Sequence, residues 1–330
     1  MTVIMWTIGI AVIVVAVALA GLAIFSAWTT RQIEKLLPPR GHFIDVDGAR
    51  IHYLDEGTGP PLLLIHGLSG QTGHYTHSLL DLLKNDYRVV ILDRPGSGYS
   101  TRPSHASAAI ADQADTISRF IDALGLHRPL VVGHSLGGAI ALSLAVDHPE
   151  QVAGLALIAP ATHLPEKAPN IFRGLAIRSP FMRALVAWTF AIPTSIRNRD
   201  LVLEIAFGPQ AAPRDYGIKG GGLMSLRPSN FIAASRDLMA THDQRDDDLT
   251  EHYGSIKVPV GVLYGAGDRI LDPTAHCAAL IGKLAGAEIE LIEGGGHMIL
   301  ICSADRCAEF IDRIAKRAAA GATQTETELA

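Results

Sequence analysis

Apolar and polar positions alternate in three different ways along this chain. From Val3 to Ala27 the residues are almost wholly apolar, and no charge occurs between Thr2 and Thr30. At 1.5 Å per residue such a run makes a helix long enough to span a bilayer core of about 30 Å. From residue 41 to 158, and again from 257 to 292, short apolar and β-branched runs are separated by turn residues and helical stretches, which predicts an α/β domain. Strands are expected at 42–46 and 50–55, joined by a hairpin turn at Asp47-Gly48, and at 61–65, 87–93, 129–132, 152–158, 257–264 and 288–292. An amphipathic helix is expected over 107–124, and another helix over 274–284. Between Pro160 and about His252 strand signals vanish, and helical stretches at 181–191 and 229–241 are separated by Pro, Gly and charged turns. That stretch is too long for a plain loop.

The most specific motif lies at Gly133-His134-Ser135-Leu136-Gly137. An apolar strand precedes it and the helix formers of 138–145 follow it. A serine between glycines at minus two and plus two, set between strand and helix, is the pattern of a nucleophile elbow. The turn is so tight that larger residues at 133 and 137 would collide with the neighbouring strand and helix. The helix that begins there aims its first amides at an oxyanion forming beside Ser135.

A serine nucleophile needs a base, and the base needs an acid that fixes its tautomer. Two later strands end in suitable residues: 257–264 runs into Asp268, and 288–292 runs into Glu293-Gly294-Gly295-Gly296-His297. Both lie past the C-terminal end of a strand, where α/β sheets place their sites. Asp268 is the expected acid and His297 the expected base. Asp272 is the rival acid, but it precedes Pro273 and a helix, where an N-cap explains it. His134 is read as packing or hydrogen-bonding support. After strand 61–65 comes His66-Gly67-Leu68-Ser69-Gly70. The backbone N–H groups of Leu68 and Leu136 are the expected oxyanion donors, with His66 bracing the loop.

These motifs, together with Asp93-Arg94-Pro95-Gly96-Ser97-Gly98-Tyr99-Ser100, stand in an order that resembles the α/β-hydrolase family from about Gly41 to Lys316. The resemblance implies a mostly parallel eight-stranded sheet flanked by helices, a helical cap inserted at about 160–252, and a mainly structural role for segment 93–100. It implies two-step acyl transfer on an ester-like small molecule by Ser135, His297 and Asp268, with no cofactor. Epoxide hydrolases and dehalogenases of this scaffold carry aspartate at the elbow, and Ser135 argues against both. Carbon–carbon hydrolases keep serine but typically have tryptophan after the catalytic histidine, where this chain has Met298. A cofactor-free haloperoxidase or perhydrolase would share the triad. A ligand-binding receptor on a hydrolase scaffold and a membrane-tethered scaffold protein are the readings from other classes. Apolar cap residues Phe172, Leu175, Phe181, Trp188, Phe190, Phe207, Leu223 and Met224 are candidates for an acyl or alcohol pocket, and Asp246-Asp247-Asp248 reads as a solvated turn.

Composition narrows the remaining choices. A net charge of −5 with scattered arginines gives no nucleic-acid surface. No Cys/His spacing reads as a metal site, and no dinucleotide fingerprint is present. The three cysteines, Cys277, Cys302 and Cys307, suit a reducing compartment or core packing better than a disulfide framework. The first 30 residues are expected to be an uncleaved single-pass anchor, with 31–40 as linker, 41–317 as the hydrolase domain and 318–330 as a disordered tail. A signal peptide is the rival, with Ala18-Leu19-Ala20 as a cleavage site, but no basic residue precedes the apolar run. Arg31, Lys35 and Arg40 follow the span, which by the positive-inside rule puts the catalytic domain in the cytoplasm; a periplasmic or lumenal domain is the alternative.

Overall fold

The computed structural model describes residues 2–163, 169–243, 249–284 and 286–329. Eight strands form one sheet in the order β1-β2-β4-β3-β5-β6-β7-β8. They are β1 (His42–Val46), β2 (Ala49–Glu56), β3 (Pro61–Ile65), β4 (Arg88–Leu92), β5 (Leu130–His134), β6 (Gly154–Ile158), β7 (Val260–Gly265) and β8 (Glu288–Ile292). The first two form the expected hairpin, and β2 pairs antiparallel with β4; every later pairing is parallel. The hairpin turn has φ of 50° at Asp47 and 74° at Gly48, the two positive values that match a two-residue connection to strand twist.

The period of two along the strands divides the core. Leu63, Ile65 and Val131 face one apolar cluster, while Leu62, Leu64 and Val132 face the other. The helix Leu136–Asp147 is buried from Leu136 to Ala145 and lies against β3, β5 and β6. On the opposite face Phe310, Ile311 and Ile314 of the last helix close the second cluster. Among the described residues, the elements of the insertion between β6 and β7 are all helical, including Pro180–Trp188, Arg199–Phe207 and Pro228–Asp243. Asp246-Asp247-Asp248 lies outside the described residues.

Both chain ends depart from the expected boundaries. The N-terminal helix runs Thr2–Leu36 without a break, so most of the expected linker is helical. Nothing in Gln32-Ile33-Glu34-Lys35 breaks a helix, and the stop comes only with Pro38-Pro39. The last helix spans Ala304–Leu329, so the tail expected to be disordered from Ala318 is helical here, with Ala318 itself 6 % exposed in the second cluster.

The long N-terminal helix is apolar and long enough to cross a membrane by length and composition. Its two halves have different environments. From Val3 to Gly21 every residue but Leu19 is exposed, a length of about 28 Å. Beyond that, Leu22, Ala23, Ser26, Thr29, Thr30 and Ile33 are half-buried or buried at a spacing of three and four. This stripe lies against Pro180–Trp188 and Gly222–Leu226 of the insertion. Arg227 adds an ion pair to Glu34 at 2.7 Å and lies over the Tyr99 ring, whose hydroxyl donates to the Leu37 carbonyl. A chain starting at Gln32 loses most of that stripe. It is expected to melt lower than one starting at Gly21, with both soluble, when the two are compared by thermal denaturation.

Asp93 ties the sheet to this entry point. Its carboxylate accepts the amides of Thr72 and Tyr99 and a proton of His52 Nδ1 at 2.7–2.8 Å. His52 Nε2 donates to the Arg40 carbonyl. With an acceptor at each nitrogen, the imidazolium form is favoured. Burial pulls the His52 pKa down, but the Asp93 hydrogen bond and charge and the Arg40 carbonyl outweigh it and leave the pKa raised above 6.5. A raised folded-state pKa contributes stability that is complete below the unfolded value and disappears as pH climbs through the folded one. Melting temperature should therefore fall as pH rises from 6.5 through the raised folded-state pKa, and His52→Asn should lack that part of the slope.

Candidate active site

β5 ends at His134, and Ser135 turns the chain with φ 53° and ψ −120° into the helix that starts at Leu136. For a residue with a Cβ this backbone costs roughly 1–3 kcal/mol. The neighbours over-determine it. The Ser135 amide donates to Ile158 O, and its carbonyl accepts from Gly138 and Ala161. A Cβ at Gly133 would lie 2.6 Å from Gly137 O, and one at Gly137 would lie 2.2 Å from Ile65 O. Glycine at both positions is thus a requirement of backbone meeting backbone. Among the described residues the Ser135 hydroxyl makes no hydrogen bond. Its Cβ lies 2.8 Å from where a Cβ on Gly67 would stand, so the serine and the loop after β3 face each other closely.

His297 and Asp268 meet across the ends of β8 and β7. His297 Nδ1 and Asp268 Oδ2 are 2.7 Å apart, and both side chains are buried. The other carboxylate oxygen accepts the amides of Ile270 and Leu271 at 2.8 and 3.0 Å. Burial alone would raise the Asp268 pKa; the His297 charge, its hydrogen bond and the two amides reverse the sign and hold it below its ordinary value. Asp272 lies elsewhere. It caps the helix Pro273–Leu280 by accepting the Thr274 amide at 3.0 Å.

His134 connects the elbow to the His297 loop. Its Nε2 donates to the His297 carbonyl at 3.2 Å, and the two rings are 4.9 Å apart. Next in line come His74, 6.4 Å from the His134 ring, and Tyr216, whose hydroxyl is 3.3 Å from His74 Nε2. Burial first, then the charge of His297, pushes His74 down to about 4 and His134 well below 6.5. Both are therefore neutral near neutral pH. His74 and Tyr216 carried no sequence signal, because nothing in their local pattern separates them from ordinary core residues.

The loop after β3 is held by His66 and Arg94. Arg94 N–H donates to His66 Nε2 at 2.9 Å, so the ring proton sits on Nδ1, which donates to Gly67 O at 2.8 Å. Burial, with the Arg94 charge second, drives the His66 pKa well down and keeps this neutral tautomer. His66 is thus placed as a brace. Leu136 opens its helix, so its amide has no intrahelical acceptor. Arg94 was missed as a separate residue: its Nε reaches His66 O at 2.9 Å, and its Nη2 reaches Gly67 O at 3.0 Å.

A family model described as the alpha/beta hydrolase fold matches residues 60–303. The chain belongs to the α/β hydrolase fold family. The dihydrolipoyllysine-residue acetyltransferase component of the acetoin cleaving system of Cupriavidus necator is 30 % identical over 265 residues, 78 % of this chain and 64 % of that protein. This chain therefore spans less than two thirds of that relative's length. Haloalkane dehalogenase 2 of Mycobacterium tuberculosis is 39 % identical over 214 residues, 62 % of this chain and 72 % of that one. Among solved structures, one described as a membrane phospholipase A, a bacterial virulence factor, superposes with a TM-score of 0.68 at 27 % identity. The match covers 96 % of this chain and 99 % of that one.

Residues expected to line a pocket divide in this α/β hydrolase. Phe207 and Met224 are buried, whereas Phe181, Trp188 and Phe190 are 74, 42 and 49 % exposed and face outward. Helical apolar spacing identifies a face but not what that face meets. Phe207 stacks edge-on against Tyr216 at 4.8 Å, and Gln210 accepts the Gly296 amide at 3.4 Å, so the insertion touches the His297 loop. Among the described residues no group of three or more His, Cys, Asp or Glu is arranged to hold a metal ion.

The two aspartates give a direct comparison. Asp268→Asn is expected to lower turnover by about three to four orders of magnitude with little change in melting temperature, since it favours the wrong histidine tautomer. Asp272→Asn is expected to cost at most several-fold in rate and about 0.5–1 kcal/mol in stability, as helix caps do. Parallel kinetics and thermal melts separate them.

Proposed function

We propose that this α/β hydrolase is a serine carboxylic-ester hydrolase that works through an acyl-enzyme on Ser135. The observation that carries the reading is the 2.7 Å contact between Asp268 and His297 Nδ1. It keeps a proton on Nδ1 and leaves the Nε2 lone pair free to act as a base. In the proposed reaction, Ser135 Oγ attacks the ester carbonyl while its proton passes to His297 Nε2. The carbonyl electrons move to oxygen, where the Leu68 and Leu136 amides receive the charge. Collapse expels the alcohol, which takes the proton from His297. Water, deprotonated by the same nitrogen, then releases the acid and restores Ser135.

Serine at the elbow, where dehalogenases of this scaffold carry aspartate, argues against dehalogenation by this chain. The N-terminal helix supports a membrane-anchored enzyme, and so does the likeness to a membrane phospholipase A along 96 % of the chain. A small amphiphilic or apolar acyl ester is the substrate class that suits this placement. We place the catalytic domain on the cytoplasmic side, from Arg31, Lys35 and Arg40 after the apolar run.

Ser135→Ala should stay folded and lose roughly four to six orders of magnitude in turnover of p-nitrophenyl esters. His297→Ala should cost about as much, and the double variant little more, because the two act as a unit. Retention of more than a tenth of wild-type activity in Ser135→Ala overturns the assignment.

A further inference from the structure

We propose that Asp237, on the inserted helix Pro228–Asp243, is a positioning residue that sets the direction of the Leu68 amide through Arg94. The inference rests on the acyl-transfer reading above and extends it to the insertion.

One peptide unit carries the geometry. The carbonyl of Gly67 and the N–H of Leu68 belong to the same planar trans peptide and point in opposite directions. Whatever fixes the carbonyl therefore fixes the amide. Gly67 O accepts three donors: His66 Nδ1 at 2.8 Å, Arg94 Nη2 at 3.0 Å and the Gly70 amide at 3.1 Å. Arg94 also holds the preceding carbonyl, His66 O, through Nε. Two consecutive carbonyls are thus clamped by one planar guanidinium, a geometry that lysine cannot reproduce.

Arg94 is completely buried, and so is Asp237. Asp237 Oδ2 lies 2.8 Å from Arg94 Nη1, and its Oδ1 lies 2.6 Å from Arg102 Nη2. Gln113 Oε1 accepts a second bond from Nη1 at 2.6 Å. Arg102 in turn donates to Pro95 O, in the loop that follows β4. Asp237 is thus the carboxylate between two buried guanidinium groups, and it is the part of the network supplied by the insertion. Its helix docks through this charge, and the same charge holds Arg94 flat against the loop after β3. Without it the guanidinium keeps only carbonyl and amide partners, and its plane is free to turn. The Leu68 amide then loses its aim at the oxyanion, while the remainder of the acyl and alcohol sites stays in place.

A fault of that kind weakens the transition state more than the ground state. Asp237→Asn is expected to lower kcat by ten- to a hundredfold, less than the loss of an oxyanion donor outright, with KM within about threefold of wild type. Affinity for a trifluoromethyl ketone, whose hemiketal oxyanion mimics the intermediate, should fall by the same factor as kcat/KM. Asp237→Glu keeps the charge and should recover most of kcat, and Arg94→Lys should resemble Asp237→Asn. All rates are taken per folded molecule, with the folded fraction read by circular dichroism. An unchanged kcat per folded molecule, a rise in KM alone, or unchanged ketone affinity beside a lowered kcat overturns the proposal. Failure of both Asp237 variants to fold also overturns it, since the pair is then structural only. Ser135→Ala run alongside distinguishes the two levels: an active Ser135→Ala removes the acyl-transfer reading itself, whereas an inactive one with normal Asp237 variants removes only the present inference.

Discussion

Three stretches of backbone meet at the elbow with no room between them, and the site is built outward from that contact. The carbonyl of Ile65 stands 2.2 Å from where a Cβ on Gly137 would be, and Gly137 O stands 2.6 Å from the corresponding point on Gly133. The end of β3, the end of β5 and the start of the following helix are therefore fixed relative to one another by excluded volume. Packing of this kind has no soft direction, because close-packed backbone cannot yield by changing rotamer. The strained φ of Ser135 persists because its amide, its carbonyl and both flanking glycines are all committed elsewhere. Ends of parallel strands then deliver Asp268 and His297 to the same edge of the sheet.

Around this rigid centre lies a layer of buried charge and neutral imidazole. Asp93 gathers two amides and His52, Asp237 gathers Arg94 and Arg102, and Asp268 gathers His297 and two amides. Each oxygen of these buried carboxylates meets at least one donor, as a low-dielectric interior requires. The histidines divide by environment. His52, with an acceptor on each side, is held toward its charged form, whereas His66, His74 and His134 are kept neutral by burial.

The sheet, the elbow and the Asp268–His297 contact were legible because each has a local signature. Apolar runs mark strands, glycine spacing marks the turn, and an acid or base just past a strand end has few places to go. The same reading separated Asp268 from Asp272, because a carboxylate before Pro273 has a helix start to cap. What escaped was long-range or orientational. Arg94 and Asp237 are 143 residues apart, and no periodicity predicts their meeting. One clue was present: Asp237 lies one helical turn after Ala233 and Ala234 and beside Leu238, and a charge on an apolar helix face needs a partner. Phe181, Trp188 and Phe190 misled for the opposite reason, since apolar spacing is the same whether a face turns inward or out. The helical residues after Thr30 were hidden because a polar, charged stretch reads as linker until tertiary contacts such as Glu34–Arg227 are seen.

The unbroken helix from Thr2 to Leu36 also fixes how the domain is carried. A flexible tether leaves a domain free to roll and pitch about its attachment point, and every encounter with a surface is then a search over angles. Here the last turns of the rod are seated on the insertion by the stripe from Leu22 to Ile33, by the Glu34–Arg227 pair and by the Tyr99–Leu37 bond. The end of the rod is therefore packed against the domain rather than joined to it by a free tether. The bearing of Ser135 relative to the helix axis then follows from that packing, so the lean of the rod in whatever surrounds it sets the direction in which Ser135 faces.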